Sequence, residues 1–234
     1  MAVIPPPEEK RAVVEAMFDR IAQRYDRMNR VLTFGLDRAW RRRTIDRLDL
    51  HPGETLLDLA CGTGDLAAEA AGRGARVVGI DLSAGMLAVA RGRQLFRSLL
   101  VRGDALHVPL ASASCDAAVS GFGLRNLVSL EPALAECARV LRPGGRLALL
   151  EVDTPSWGPA RAGHRIWFHR AVPLLGRFLA DRDAYAYLSA SVTYLPETAM
   201  LVRLLETAGF GDVRKTGFLA GSIQLLTARR CDDG

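Results

Sequence analysis

The sequence predicts an α/β fold, a single mostly parallel sheet of seven strands with helices on both faces. Three observations carry the prediction. From Leu50 to Val152, short apolar runs of strand length alternate with stretches of helical periodicity, which is the pattern of repeated βαβ units. The first of these runs ends in Gly62 and Gly64, glycines placed where a strand turns sharply into a helix. Near the C-terminus, the runs 212–218 and 222–228 read as a closing antiparallel pair. The 234 residues suffice for one such domain, 1–234, and no second domain is demanded.

Taken in order, residues 8–24 read as a helix with Val13, Val14, Met17, Phe18 and Ile21 on one face. Tyr25-Asp26-Arg27-Met28-Asn29, Leu32-Thr33-Phe34-Gly35 and Trp40-Arg41-Arg42-Arg43 follow, mixing large apolar groups with arginines. Residues 1–50 are read as a helical lid over the ligand site that also rests on anionic lipid, because interfacial helices set Arg beside Trp. The expected contact is the Arg38–Arg43 cluster beside Trp40 and Phe34, with Arg41, Arg42 and Arg43 as its charges. The plainer alternative is a solvated amphipathic helix whose Trp40 packs on the core.

The alternation then runs strand 55–59, helix 65–72, strand 76–80, helix 83–97, strand 99–102, strand 116–119, helix 130–141 and strand 146–152. Pro143-Gly144-Gly145 is tight-turn chemistry. Residues 153–197 break the rhythm and concentrate aromatics: Trp157, Trp167, Phe168, Phe178, Tyr185, Tyr187 and Tyr194. An insertion there would serve as a helical substrate cap, the alternative being two extra helices with an ordinary core. A helix over 197–208 and a Gly209-Phe210 turn lead to the closing pair.

Ligands of such sheets collect at the carboxyl ends of the strands, where the glycine turn, Asp81, Asp104 and Ser120 all fall. Gly62-x-Gly64-x-x-Ala67 also satisfies the loose dinucleotide fingerprint, with Asp81 spaced to hold ribose hydroxyls. Two details favour S-adenosyl-L-methionine over NAD. Asp58 lies inside the first strand, four residues before Gly62, and Asp104-Ala105 closes the third. A ligand with an adenosyl group, an amino-acid tail and no pyrophosphate would use both carboxylates, one facing the ammonium and one the adenine. A nicotinamide site and a purely structural turn remain the alternatives.

Composition excludes several classes. A content of 49% hydrophobic and 24% charged residues is ordinary for a soluble enzyme. The net charge of +5 comes from 29 Arg and 2 Lys, a bias that reads as genome composition and not as nucleic-acid binding. Cys61, Cys115, Cys137 and Cys231 have no paired spacing, so they read as reduced thiols of a cytoplasmic protein and no metal is expected. The N-terminus lacks a basic-then-apolar signal, and the longest uncharged stretches, 184–196 and 216–228, fall short of a bilayer span. The oligomeric state is left open, a homo-oligomer included.

Four segments carry a resemblance: Tyr25-Asp26-x-Met28-Asn29, Leu57-Asp58-Leu59-Ala60-Cys61-Gly62-Thr63-Gly64-Asp65, Phe122-Gly123-Leu124-Arg125-Asn126, and Arg139-Val140-Leu141-x-Pro143-Gly144-Gly145-Arg146 with Leu150-Glu151. Together they resemble the menaquinone and ubiquinone C-methyltransferase family, from about Pro7 to Arg229. The resemblance implies a Rossmann-like class I S-adenosylmethionine-dependent methyltransferase that methylates a ring carbon of a prenylated hydroquinone, demethylmenaquinol foremost. Ubiquinone biosynthesis, or another aromatic or polyketide acceptor, is the alternative. It implies cofactor positions at Thr63, Asp81, Asp104, Ala105 and Ser120, beside Asp58, Gly62 and Gly64 of the glycine turn. Departures from the family pattern at Val152-Asp153 and at Gly221-Ser222-Ile223-Gln224 fall on the expected substrate side.

Carbon methylation needs an electron-rich ring, so a group that favours the phenolate is required. Arg125 and Asn126, just past the fourth strand, are the candidates, with Tyr25 as a hydrogen-bond partner. An arginine stays protonated and suits phenolate stabilisation better than proton abstraction. The alternative for Arg125 is a salt bridge to Glu151 or Asp153. A nucleic-acid amino-methyltransferase would want an Asp/Asn-Pro-Pro-aromatic turn where Ser120-Gly121-Phe122-Gly123 stands, and a cytosine carbon methyltransferase a Pro-Cys pair that the chain lacks. The expected partners are thus the quinol and a transiently visited anionic membrane surface.

Overall fold

The structure, a computed structural model, describes residues 5–93, 98–167 and 182–232. Its strands are β1 Thr55–Leu59, β2 Arg76–Asp81, β3 Ser98–Arg102, β4 Cys115–Gly121, β5 Leu141–Val152, β6 Phe210–Phe218 and β7 Ile223–Arg230. They form one sheet in the order β3-β2-β1-β4-β5-β7-β6. Strands β1 to β5 pair in parallel, while β7 runs antiparallel between β5 and β6. The order reverses between β1 and β4, and a crevice opens there at the carboxyl ends.

The helices are α1 Pro7–Leu32, α2 Asp37–Leu48, α3 Asp65–Ala71, α4 Ala84–Gly92, α5 Leu130–Val140, α6 Gly158–Ile166, α7 Arg182–Ser191 and α8 Thr198–Thr207. Strand alternation divides the core between the two faces. Leu57 and Leu59 of β1 join Leu134 of α5 and Leu201 of α8 on one face. Leu56 packs with Trp40 and Ile45 of α2 and Leu66 of α3 on the other. A third cluster sets Val14, Met17 and Ile21 of α1 against Met86 of α4 and Tyr187 of α7. This cluster seats α1 across the crevice.

Several expectations are corrected. The first helix does not stop before Tyr25 but runs on to Leu32, since no Gly or Pro interrupts it, so the Tyr-Asp-x-Met-Asn segment is helical. The expected helix 83–97 is observed as Ala84–Gly92, with 94–97 outside the described residues. Strand β5 starts at Leu141, and its register against β4 shifts so that Cys115 faces Leu141 while Ala117 faces Arg146. Of the aromatic insertion, Tyr187 is buried, Trp157 is exposed, and Phe168 and Phe178 lie outside the described residues.

The arginine face of α2 also differs from expectation. Trp40 is 6% exposed and belongs to the core, as the plainer reading had it. Arg41 is likewise buried, whereas Arg38, Arg42 and Arg43 are exposed. The helix period explains this, because Arg41 shares a face with Asp37, Ile45 and Leu48, all buried.

Candidate active site

Two clefts open at the carboxyl ends of the strands and share Tyr25 and Phe122. The first, of about 770 Å³, is lined by Gly62, Asp81, Asp104 and Ala105, with Phe18 and Tyr25 of α1 as its outer wall. Gly62 has φ +55° and nothing within 4 Å of where a Cβ would stand, so the turn leaves open space above its backbone. Asp81 Oδ2 accepts from the Gly62 N–H at 2.7 Å and Oδ1 from the Ser83 N–H at 2.9 Å. Burial pushes this carboxyl above its ordinary range, against the pull of those amides. Asp104 Oδ1 accepts from the Leu106 N–H at 3.0 Å, and Oδ2 lies 3.4 Å from Arg11 of α1.

Strain marks the same place. Ala60 and Phe122, one just past β1 and one just past β4, hold φ of +55° and +60°, values that L side chains adopt at a cost of roughly 1–3 kcal/mol. A Cβ at Gly123 would stand 2.8 Å from Ala60 Cβ, so the two loops touch and only glycine fits.

The remaining expected cofactor residues stand behind this lining. Thr63 is buried and its hydroxyl donates to Asp26 Oδ1 of α1 at 2.6 Å. Gly64 caps α3 with φ +81°. Ser120 is buried and its hydroxyl has no hydrogen-bond partner. Asp58 is 1% exposed, its oxygens make no hydrogen bond of ordinary geometry beyond a weak approach of the Ala67 N–H, and burial pushes it up to about 7 against the pull of Arg41 and of that N–H. Two polar side chains short of hydrogen bonds below an open glycine turn, with carboxylates at or just past the ends of the next two strands on one side, Asp81 of β2 and Asp104 after β3, fit an adenosyl ligand with a cationic tail.

Helix α1 is clasped over this cleft along its length. Besides Arg11 on Asp104, Glu15 pairs with Arg102, and Asp19 accepts from the Ser83 hydroxyl at 2.6 Å and the Gly85 N–H at 2.8 Å. Arg93 bridges Asp26 and Asp65, and Lys10 donates to the Leu127 carbonyl at 2.6 Å. The sequence reading named α1 a lid without finding these clasps. They join α1 to residues 64 to 117 positions away, and spacing gives no sign of them except that Asp26 lies within the Tyr-Asp-x-Met-Asn segment.

The second cleft, about 1320 Å³ counted out into its open mouth, lies between α1, α2, α6 and the start of β7. Its walls include Leu32, Phe34, Leu36, Trp167 and Ile223, while Tyr25, Asn29, Asp37, Arg41, Arg125 and His164 supply its polar groups. Val152, Ser222 and Ile223, three of the positions that depart from the family pattern, lie on it. Arg125 follows β4 on a 3₁₀ turn, Leu124–Asn126, and is 6% exposed. Its Nη1 donates to Glu151 Oε2 at 2.8 Å, while its Nε and Glu151 Oε1 have no partner. The salt bridge to Glu151 therefore forms, and the same side chain also lines the cleft. Asn126 differs: it lines the first cleft and donates to the Phe122 carbonyl at 3.2 Å.

The model of the ubiE/COQ5 methyltransferase family matches residues 7–229. The chain belongs to that family. As a ubiE/COQ5 methyltransferase it is an S-adenosylmethionine-dependent methyltransferase, the enzyme class and the methyl donor expected from the sequence. A demethylmenaquinone methyltransferase of Mycobacterium sp. (strain KMS) is 42% identical over 216 residues, 92% of this chain and 93% of that protein. A ubiquinone/menaquinone biosynthesis C-methyltransferase UbiE of Syntrophotalea carbinolica is 40% identical over 220 residues, 92% of each. Among solved structures, the [4+2]-cyclase SpnF has a TM-score of 0.66 at 20% identity, covering 93% of this chain and 95% of that one. Haemonchus contortus phosphoethanolamine N-methyltransferase 2, in complex with S-adenosyl-L-methionine, gives 0.63 at 16%, covering 83% and 53%. At these identities the likeness is one of fold, and a cyclase among the matches shows why activity must be argued from the site.

Proposed function

We propose that the chain uses S-adenosyl-L-methionine to methylate a ring carbon of a prenylated hydroquinone, demethylmenaquinol to menaquinol. The observation that carries the reading is the second cleft, large and apolar, with buried arginines where it meets the donor cleft at Tyr25 and Phe122. When bound, the donor supplies an electrophilic methyl on a sulfonium sulfur. Asp81 receives the ribose hydroxyls, Asp104 and Ala105 the adenine edge, and Asp58 faces the ammonium end. Arg125 stabilises the phenolate that makes the ring carbon nucleophilic, Tyr25 holds the acceptor beside the donor, and Asn126 fixes the Phe122 turn. Labelled donor and demethylmenaquinol should yield a ring-methylated product. No turnover of demethylmenaquinol, with turnover of another aromatic, would replace this reading by the alternative acceptor class.

Asp81→Ala should weaken donor binding by about 1.5–3 kcal/mol in calorimetry, the scale for hydrogen bonds to a charged partner. NADH binding with no response to the methyl donor would overturn the assignment.

A prenylated quinol stays in the bilayer, since each methylene brought into water costs about 0.8 kcal/mol. We read the protein as cytoplasmic and peripherally membrane-associated; no described helix is long and apolar enough to cross a membrane. Around the cleft mouth Phe34 is 76% exposed, Leu36 41% and Leu219 56%, with Arg38, Arg42 and Arg43 exposed beside them on α2. The arginine face is thus amended to omit Arg41. Neutralising Arg38, Arg42 and Arg43 together should weaken binding to anionic vesicles by roughly a hundredfold, at about 1 kcal/mol for each charge. Activity on a short-chain, water-soluble quinol should be unchanged. Vesicle sedimentation that responds neither to the triple substitution nor to salt raised to roughly 0.5 M would remove this face from the contact.

A further inference from the structure

We propose that Arg41, backed by Asp37, is a second oxygen-binding station of the substrate cleft. It would receive the ring oxygen remote from the one that Arg125 stabilises. The inference rests on the hydroquinone reading above.

Arg41 is 7% exposed and Asp37 2%, and both line the apolar cleft. Arg41 Nε lies 3.8 Å from Asp37 Oδ2 and 3.5 Å from Asp65 Oδ2, close enough for charge pairing but without a hydrogen bond, and this buried donor has no partner. The Thr33 hydroxyl donates to Asp37 Oδ1 at 2.9 Å and orients the carboxylate. The same incompleteness recurs across the junction, where Arg125 Nη1 holds Glu151 and Arg125 Nε is unpartnered. Both guanidiniums face the ring of Phe122, their central carbons 5.5 and 5.8 Å from its centroid. Arg41 also reaches the donor side, since a Cβ at Gly121 would stand 3.7 Å from its Nη1.

One strained aromatic between the two clefts therefore carries two buried arginines, each backed by a buried carboxylate and each with an unmet donor. Buried donors are left unmet at a cost, and sites built to hydrogen-bond a hydroxyl use such groups to reject analogues that lack it. A para-dihydroxylated ring presents two oxygens on opposite sides and calls for two stations, whereas a monophenol calls for one. The competing account is that Arg41 only balances the charges of Asp37 and Asp65.

The test compares a short-chain 1,4-diol acceptor with the monophenol that lacks the oxygen remote from the reacting carbon. In the wild type, removing that oxygen should lower kcat/KM at least roughly tenfold, mainly through KM. In Arg41→Gln, assayed at saturating donor, the diol should fall to the level of the monophenol, the ratio shrinking to within about twofold. A variant that keeps the wild-type ratio at saturating donor overturns the proposal, as does a wild type that turns over both acceptors equally. A wild type that turns over neither refutes the hydroquinone reading itself. Should Arg41→Gln fail to fold, Arg41→Lys keeps the charge beside Asp37 and Asp65: a ratio lowered at least about threefold supports the proposal, and an unaltered ratio overturns it.

Discussion

Arg125→Lys is expected to lower turnover more than about tenfold while donor affinity stays within about twofold of wild type. The side chain stands on the turn after β4 and lines the second, apolar cleft, but not the first. Its ion pair with Glu151 means that any loss of activity must be separated from a loss of fold. Lysine keeps a positive charge toward Glu151 yet lacks a second, fixed N–H for the phenolate, so it isolates the chemical role.

Arg125→Ala should behave differently. It strands Glu151, 2% exposed, with the Val152 N–H as its one remaining hydrogen-bond partner among the described residues. Breaking one side of a buried pair costs about 3–5 kcal/mol, which for a chain of this size lowers the melting midpoint by roughly 10 °C. Single-turnover kinetics with calorimetry on the lysine variant, and thermal melts on the alanine variant, separate the two roles. A lysine variant that unfolds, or that loses the donor along with activity, would leave Arg125 as a structural ion pair alone.

The sheet was legible in the sequence because its signal is local. β1 lies at 55–59 as expected, since a short apolar run bounded by turn residues has few other ways to be buried. The closing pair was visible for the same reason. The glycine turn, Asp81 and Asp104 were legible because strand ends converge on one edge whatever the details of packing. The partners of the site were not legible, because they meet through tertiary contact. Nothing near Thr63 announces Asp26 or Arg93, 37 and 30 residues away. Composition groups Arg41 with Arg42 and Arg43 as like charges facing lipid, although its helical phase with Ile45 and Leu48 separates it from them. Composition pooled what periodicity would have divided.

Asp58→Asn should stabilise the donor-free protein at alkaline pH and weaken donor binding at the same pH. Burial raises this carboxyl from its ordinary 3.8 to about 7 in the folded chain, with Arg41 and the Ala67 N–H opposing the rise and the charges of Asp81 and Asp65 adding to it. The folded state therefore holds the proton more tightly than the unfolded one. The stability this group contributes is present below about pH 4 and is lost as pH climbs towards 7. A shift of that size corresponds to something on the order of 4 kcal/mol. Asparagine has no proton to lose, so denaturant melts should show variant and wild type alike near pH 4 and the variant ahead by an amount of that order near pH 8. Donor binding should move the other way. An ammonium placed at an ionised, otherwise unpartnered carboxylate gains a charge-assisted contact, so calorimetry near pH 8 should show the variant weaker by about 1.5–3 kcal/mol. Opposite signs for stability and affinity would mark Asp58 as a carboxylate left unpaired for its ligand. A stability difference that grows with pH while donor affinity is unaltered would instead make it a buried acid of the core with no part in binding.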